Sequence, residues 1–250
     1  MSYIELQNVS VEIPIFDASR SFRQSLATRL GGEIGHTDKK KVCVHALRDI
    51  SFTVKQDDRL GLIGHNGAGK TTLLRLLAQV YKPSRGRYIS QGKITSLLNI
   101  NLGMDLDDTG LENIRNIGMF LGMSKQEIMS KRDDVIEFSE LGDYIHLPLR
   151  TYSAGMLTRL SFALATAVEK DILLMDEGIG AGDAAFADKA QKRLNGFYKD
   201  IGILVIASHA DGLIKQLCNK AILLEHGRVK AYGEVDAVLE AYRSSLAQPT

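Results

Sequence analysis

The sequence predicts an α/β fold with a mostly parallel core sheet, an antiparallel β portion and an inserted helical subdomain. Three observations carry that expectation. First, Ile172-Leu173-Leu174-Met175 and Ile203-Leu204-Val205-Ile206-Ala207 are continuous apolar runs that end in Asp176-Glu177 and Ser208-His209. Strands buried on both faces of a parallel sheet read this way. Second, the strand-like run Arg59-Leu60-Gly61-Leu62-Ile63 passes through a glycine-rich segment into the helix-like Thr72–Ala78. Third, from about Asn99 to Leu149 the apolar spacing turns helical.

The elements follow in order. Ile4 to Ile13 alternates apolar and polar residues as a half-buried strand does. Ala46 to Val54 reads as a second strand, with Leu47, Ile50, Phe52 and Val54 as its apolar set. The connection between them, about 14–45, is long for a compact domain, and such loops carry structure or function. In it Phe22, Leu26 and Leu30 recur at helical spacing among Arg20, Arg23 and Arg29. A short basic amphipathic helix over about 17–31 fits either a lipid headgroup surface or a solvated helix packed on its own domain. Pro83-Ser84-Arg85-Gly86 is a turn, with short strands expected at Tyr88–Ser90 and Lys93–Leu98. Helices are expected from Glu112 onward, over Lys125–Leu141 and over Leu160–Val168. Glu225-His226-Gly227 joins Ala221–Leu224 to Arg228–Tyr232 as a hairpin. Glu234 to Leu246 closes the sequence as an amphipathic helix, with Val235, Val238, Leu239, Tyr242 and Leu246 on one face.

Composition narrows the functional classes. The 250 residues suffice for one α/β domain with an insert, and the formal charge of +1 gives no global field toward nucleic acid or an anionic membrane. No nucleic-acid partner is expected. Cys43 and Cys218 lie far apart and form no metal or redox spacing between them, which reads as two plain thiols in a reducing compartment. No apolar run approaches a membrane span, and the N-terminus lacks the order of a signal peptide.

The chemistry begins at Gly64-His65-Asn66-Gly67-Ala68-Gly69-Lys70-Thr71, which fits G-x-x-x-x-G-K-[ST] in its required strand–loop–helix setting. Glycines let backbone N–H groups turn in on an anion, and the helix starting near Thr72 adds its dipole. Lys70 would reach the β- and γ-phosphates of a nucleotide, and the Thr71 hydroxyl would ligate Mg²⁺. Asp176, held by four apolar residues, is the expected second Mg²⁺ anchor. Glu177, one residue further out, is placed to polarise an attacking water. His209 is expected to contact the γ-phosphate. Tyr152-Ser153-Ala154-Gly155-Met156 precedes a helix, where Ser153 can cap and the small Ala154 and Gly155 allow close backbone approach to phosphate.

Taken in this order and spacing, these segments resemble the ATP-binding subunit of ABC transporters, a P-loop NTPase cassette, over nearly the whole chain. Tyr152–Met156 resembles the family's Leu-Ser-Gly-Gly-Gln signature, Gly180-Ala181-Gly182-Asp183 resembles the segment coupling the two sites of a dimer, and His209 matches the switch histidine. Departures are Ala154 for glycine, Met156 for glutamine and Gly178-Ile179 for Pro-Thr. Asn99 or Asn101 lies nearest the expected glutamine of the insert. The resemblance implies one ATPase domain over 1–250, with the helical subdomain inserted at about 100–165. It implies a head-to-tail homodimer with each ATP between the phosphate loop of one copy and Ser153-Ala154-Gly155 and Asp183 of the other. Phe16 is the candidate for stacking on adenine, with a core or loop aromatic as the alternative reading.

Within that family the chain is most similar to the exporters of polysaccharides, O-antigen and teichoic-acid-type polymers. Supporting segments are Gly64–Lys70, Glu137–Tyr144, Arg150–Met156 and the long 14–45 connection. That resemblance implies a separate polytopic permease, a peripheral location on the cytoplasmic face of the inner membrane and a membrane-facing role for 17–31. Some members of the family carry an additional C-terminal sugar-binding domain, and none is expected here because the sequence stops soon after its last helix. The alternatives are an ABC ATPase for a lipid or drug, or one with no transport role.

Overall fold

The computed structural model describes residues 1–14, 33–36, 42–97, 103–176, 184–199 and 201–246. In chain order the elements are β1 (Tyr3–Pro14), β2 (Glu33–His36), β3 (Val42–Lys55), β4 (Arg59–Ile63), α1 (Lys70–Leu77), β5 (Arg85–Gln91) and β6 (Ile94–Leu97). There follow α2 (Gly110–Phe120), α3 (Lys125–Ser139), α4 (Ala154–Ala167), β7 (Ile172–Asp176), α5 (Ala184–Lys199) and β8 (Ile203–Ala207). The chain continues through α6 (Asp211–Leu217), β9 (Lys220–Glu225), β10 (Arg228–Glu234) and α7 (Val235–Leu246). These residues fall into two compact units, whose boundary lies within β6.

The first unit holds β1–β5, α1, β7 and everything described from Gly202 onward. Its core is the run β10-β9-β4-β8-β7. β4 pairs parallel with β8 and β9, β7 pairs parallel with β8, and β10 returns antiparallel on β9. All five residues of β8 and the first four of β7 are buried, which explains why both read as unbroken apolar runs. α1 packs beside this sheet through Leu73, Leu74, Leu76 and Leu77. A second sheet, β2-β3-β1-β5, is wholly antiparallel. β1 is longer and more irregular than its alternation suggests: the pairing with β3 slips between Leu6 and Val9, at Val11 and again at Glu12. Asn8 and Asp49 take left-handed backbone at these irregularities. The short β2 lies inside the long connection, where the sequence offered only a helical pattern.

The second unit runs from Thr95 to Asp171 and includes α5. Its centre is an aromatic trio from three helices. The Phe138 and Phe162 rings stack with centroids 5.8 Å apart, and Phe186 meets them edge-on at 5.2 and 5.9 Å. Aromatic pairs of this geometry add about 0.5–1.5 kcal/mol beyond area burial. Lys189 Nζ donates to the Phe138 carbonyl at 3.1 Å and to Glu140 at 2.7 Å, satisfying an orphan carbonyl at the end of α3. α2 and α3 each begin with a complete capping box, Thr109/Glu112 and Ser124/Glu127. Asn113 is fully buried, and its amide bonds the backbone of Asp105, Asp108 and Thr109, pinning the loop before α2.

Candidate functional site

The parallel pairing lines up three strand ends in the first unit. Ala207 of β8 stands in register with Leu62 of β4 on one side and Asp176 of β7 on the other. The phosphate loop leaves β4 two residues after Leu62, and His209 stands two residues after Ala207. Sites in open α/β sheets form at such C-terminal edges.

The loop's shape depends on its glycines. Gly64, Gly67 and Gly69 have φ of +148°, +80° and +108°. A Cβ on Gly64 would lie 2.3 Å from the Leu224 carbonyl oxygen, so only glycine fits there. Lys70 is buried, and its Nζ donates to the carbonyls of Gly64 at 2.7 Å and His65 at 3.0 Å. Its ammonium therefore sits over the loop rather than in solvent. Gly69 stands at the N-cap with no side-chain cap, leaving first-turn N–H groups of α1 to serve an anion. Thr71 Oγ1 donates to Asp176 Oδ2 at 2.8 Å. The hydroxyl and the carboxylate expected to share a divalent cation are thus already side by side, the hard oxygen donors that Mg²⁺ takes. Ser208 is buried and accepts the Ala210 N–H at 3.0 Å, fixing the turn after β8, while His209 is exposed.

One contribution was not read from the sequence. The β9–β10 hairpin braces the phosphate loop: Gly227 N–H donates to the Ala68 carbonyl at 3.0 Å, and Arg48 N–H to the Gly227 carbonyl at 2.8 Å. The His65 and His226 rings lie 5.2 Å apart. Lys230 bonds Glu225 and holds its carboxyl below the usual range, aided by the His226 and His65 rings. The hairpin was legible as a turn, but nothing local in the sequence says which loop it touches.

In the second unit Ser153 caps α4, accepting the Met156 N–H at 3.2 Å, with Ser153 and Ala154 exposed and Gly155 half-buried. Phe16, the 17–31 segment, Asn99, Asn101, Glu177 and Gly180–Asp183 lie outside the described residues.

A family model described as "ABC transporter" matches residues 47–180. The O-antigen export system ATP-binding protein RfbE of Yersinia enterocolitica is 45% identical over 231 residues, covering 92% of this chain and 97% of that one. The teichoic acids export ATP-binding protein TagH of Lactococcus lactis is 39% identical over 209 residues, and the match spans 84% of this chain but only 45% of that protein. Among solved structures, a dimeric ATP-binding cassette in a post-hydrolysis state with ADP and Pi matches at a TM-score of 0.65 and 19% identity, covering 93% of this chain and 98% of that one. The fold, the phosphate loop with its Thr71–Asp176 pair and these matches agree: the chain belongs to the ABC transporter family, as an ATP-hydrolysing cassette.

Proposed function

We propose that the chain powers export of a lipid-linked polysaccharide through a separate transmembrane permease. The observation that carries this reading is the 45% identity to an O-antigen export system ATP-binding protein across 97% of that protein's length, joined to a phosphate loop whose Lys70 folds over its own carbonyls and whose Thr71 contacts Asp176. Lys70 exchanges its two carbonyl acceptors for phosphate oxygens, giving up charge-assisted hydrogen bonds of about 1.5–3 kcal/mol each for stronger ionic ones. Thr71 and Asp176 would hold Mg²⁺, which when bound would neutralise charge on the phosphates. Glu177 takes a proton from the attacking water, and His209 stabilises the γ-phosphate as it leaves. Phe16 stacks on the adenine.

Two copies close head-to-tail on ATP. Ser153, Ala154, Gly155 and Asp183 of one copy complete the site of the other, so γ-phosphate acts as a ligand that favours the closed state. The exposed α4 cap supports this role. The dimer docks on the permease at the cytoplasmic face of the inner membrane, with 17–31 toward the lipid surface. A host carrying Glu177→Gln tests the whole reading. Surface polysaccharide is lost and its lipid-linked precursor accumulates inside; unchanged surface polysaccharide assigns the chain to another cargo, such as a lipid or drug, or to no transport.

A further inference from the structure

At the far end of the antiparallel sheet from the β1 N-terminus, three metal-ligating side chains of different chemistry meet. β1 and β3 pair Glu12 with His45 and Pro14 with Cys43. Cys43 and His45 are two apart on one strand, so they share a face, and register puts Glu12 on that same face opposite His45. The Glu12 carboxylate lies 3.5 Å from His45 Nδ1, and Cys43 Sγ lies 3.9 Å from His45 Nε2. One ligand atom from each of the three falls within 4.8 Å of the others.

We propose that Glu12, Cys43 and His45 form a binding site for a zinc-like divalent cation, with water in the fourth position. Zinc bonds of about 2.0–2.3 Å place tetrahedral ligands roughly 3.3–3.8 Å apart. The two contacts above engage different nitrogens of His45, and with one ligand atom from each residue the three lie within 4.8 Å of one another, so binding must draw them together. The donor set is one soft thiolate, one imidazole and one carboxylate, which selects zinc over the hard cations held by oxygen alone. Access is available from one side: Cys43 is buried, whereas His45 and Glu12 remain 30% and 20% exposed. Binding commits one His45 nitrogen to the metal and gives up the contact that the other nitrogen makes. Metal entry breaks the Cys43 S–H bond, the thiolate becomes a ligand and one proton passes to the buffer, with no change of oxidation state. Among the described residues Cys218 joins no such cluster, and burial pushes its thiol up to about 12.

The site is independent of the export reading, and so is its test. The metal-stripped 250-residue chain is titrated with Co²⁺, then Zn²⁺, and followed by absorption and thermal melting. One equivalent of Co²⁺ should produce a thiolate-to-cobalt charge-transfer band that Zn²⁺ displaces, and Zn²⁺ should raise Tm by about 5 °C at saturation. Cys43→Ser should abolish the band, and His45→Ala and Glu12→Gln should each weaken Zn²⁺ binding by ~10-fold or more. Cys218→Ser should change none of these. The two exposed-side variants keep the test valid if Cys43→Ser melts early without metal. A band that is absent, or that survives Cys43→Ser, or a Zn²⁺ affinity unmoved by His45→Ala, leaves only an ion pair beside a thiol and overturns the proposal.

Discussion

Gly227 and Gly122 both have left-handed backbone, with φ of +74° and +79°, yet their neighbourhoods differ. A Cβ on Gly227 would lie 2.5 Å from the Ala46 carbonyl oxygen, whereas one on Gly122 meets nothing within 4 Å. Gly122→Ala should therefore cost only the backbone term, about 1 kcal/mol. Gly227→Ala should cost about 3 kcal/mol and weaken nucleotide binding as well, since Gly227 braces Ala68. Urea melts and a fluorescent-nucleotide titration on the two variants measure the difference. Lys70→Ala should lower ATP turnover at least ~100-fold, read as phosphate release at saturating ATP. At this scale the sequence was informative wherever one motif spans adjacent residues, as from Gly64 to Thr71. It was silent on Gly227 against Ala68, and on Glu12 against His45, because those meetings depend on strand register and on a bulge that shifts it.

Helices α3 and α5 are joined by a fork: Arg193 Nη1 and Nη2 meet the two Asp134 oxygens at 2.9 and 2.5 Å, and Arg193 Nε donates to Thr166 of α4 at 2.7 Å. The Arg193 bond holds the Asp134 carboxyl below its ordinary value. A depressed carboxylate contributes stability above its unfolded pKa of about 3.9, and that contribution is lost as pH falls through the lower folded value. Arg193→Met should thus flatten the stability profile below pH 4 relative to the parent chain, as followed by acid titration of helix ellipticity. Thr109→Ala removes one half of a capping box and should destabilise by about 1 kcal/mol in chemical denaturation. The spacing Thr109-x-x-Glu112 carries that box, yet the apolar pattern alone started the helix only at Glu112; Ser153 is expected as a cap and is one. The fork was not, because like and unlike charges crowd every exposed helix face and only packing selects which pair meets.

For the molecule as a whole, Glu177→Gln with ATP and Mg²⁺ should double the 27.5 kDa mass seen in light scattering, and the same variant carrying Lys70→Ala should stay at the single mass. The parallel core sheet was visible from the apolar runs, because strands buried on both faces need no partner residue to identify them. The order in which they pair was not, as β4 takes β8 and β9 for neighbours, both from late in the chain. That pairing sets a schedule for synthesis. The phosphate loop begins at Gly64 and its brace arrives at Gly227, 163 residues later (227 − 64). At about 5–20 residues per second, a ribosome needs roughly 10–30 s to cover that distance. Through that interval the nascent chain carries the Lys70 motif without the hairpin that shapes it, so the cell's abundant nucleotide meets a finished loop only when almost all of the chain has been made.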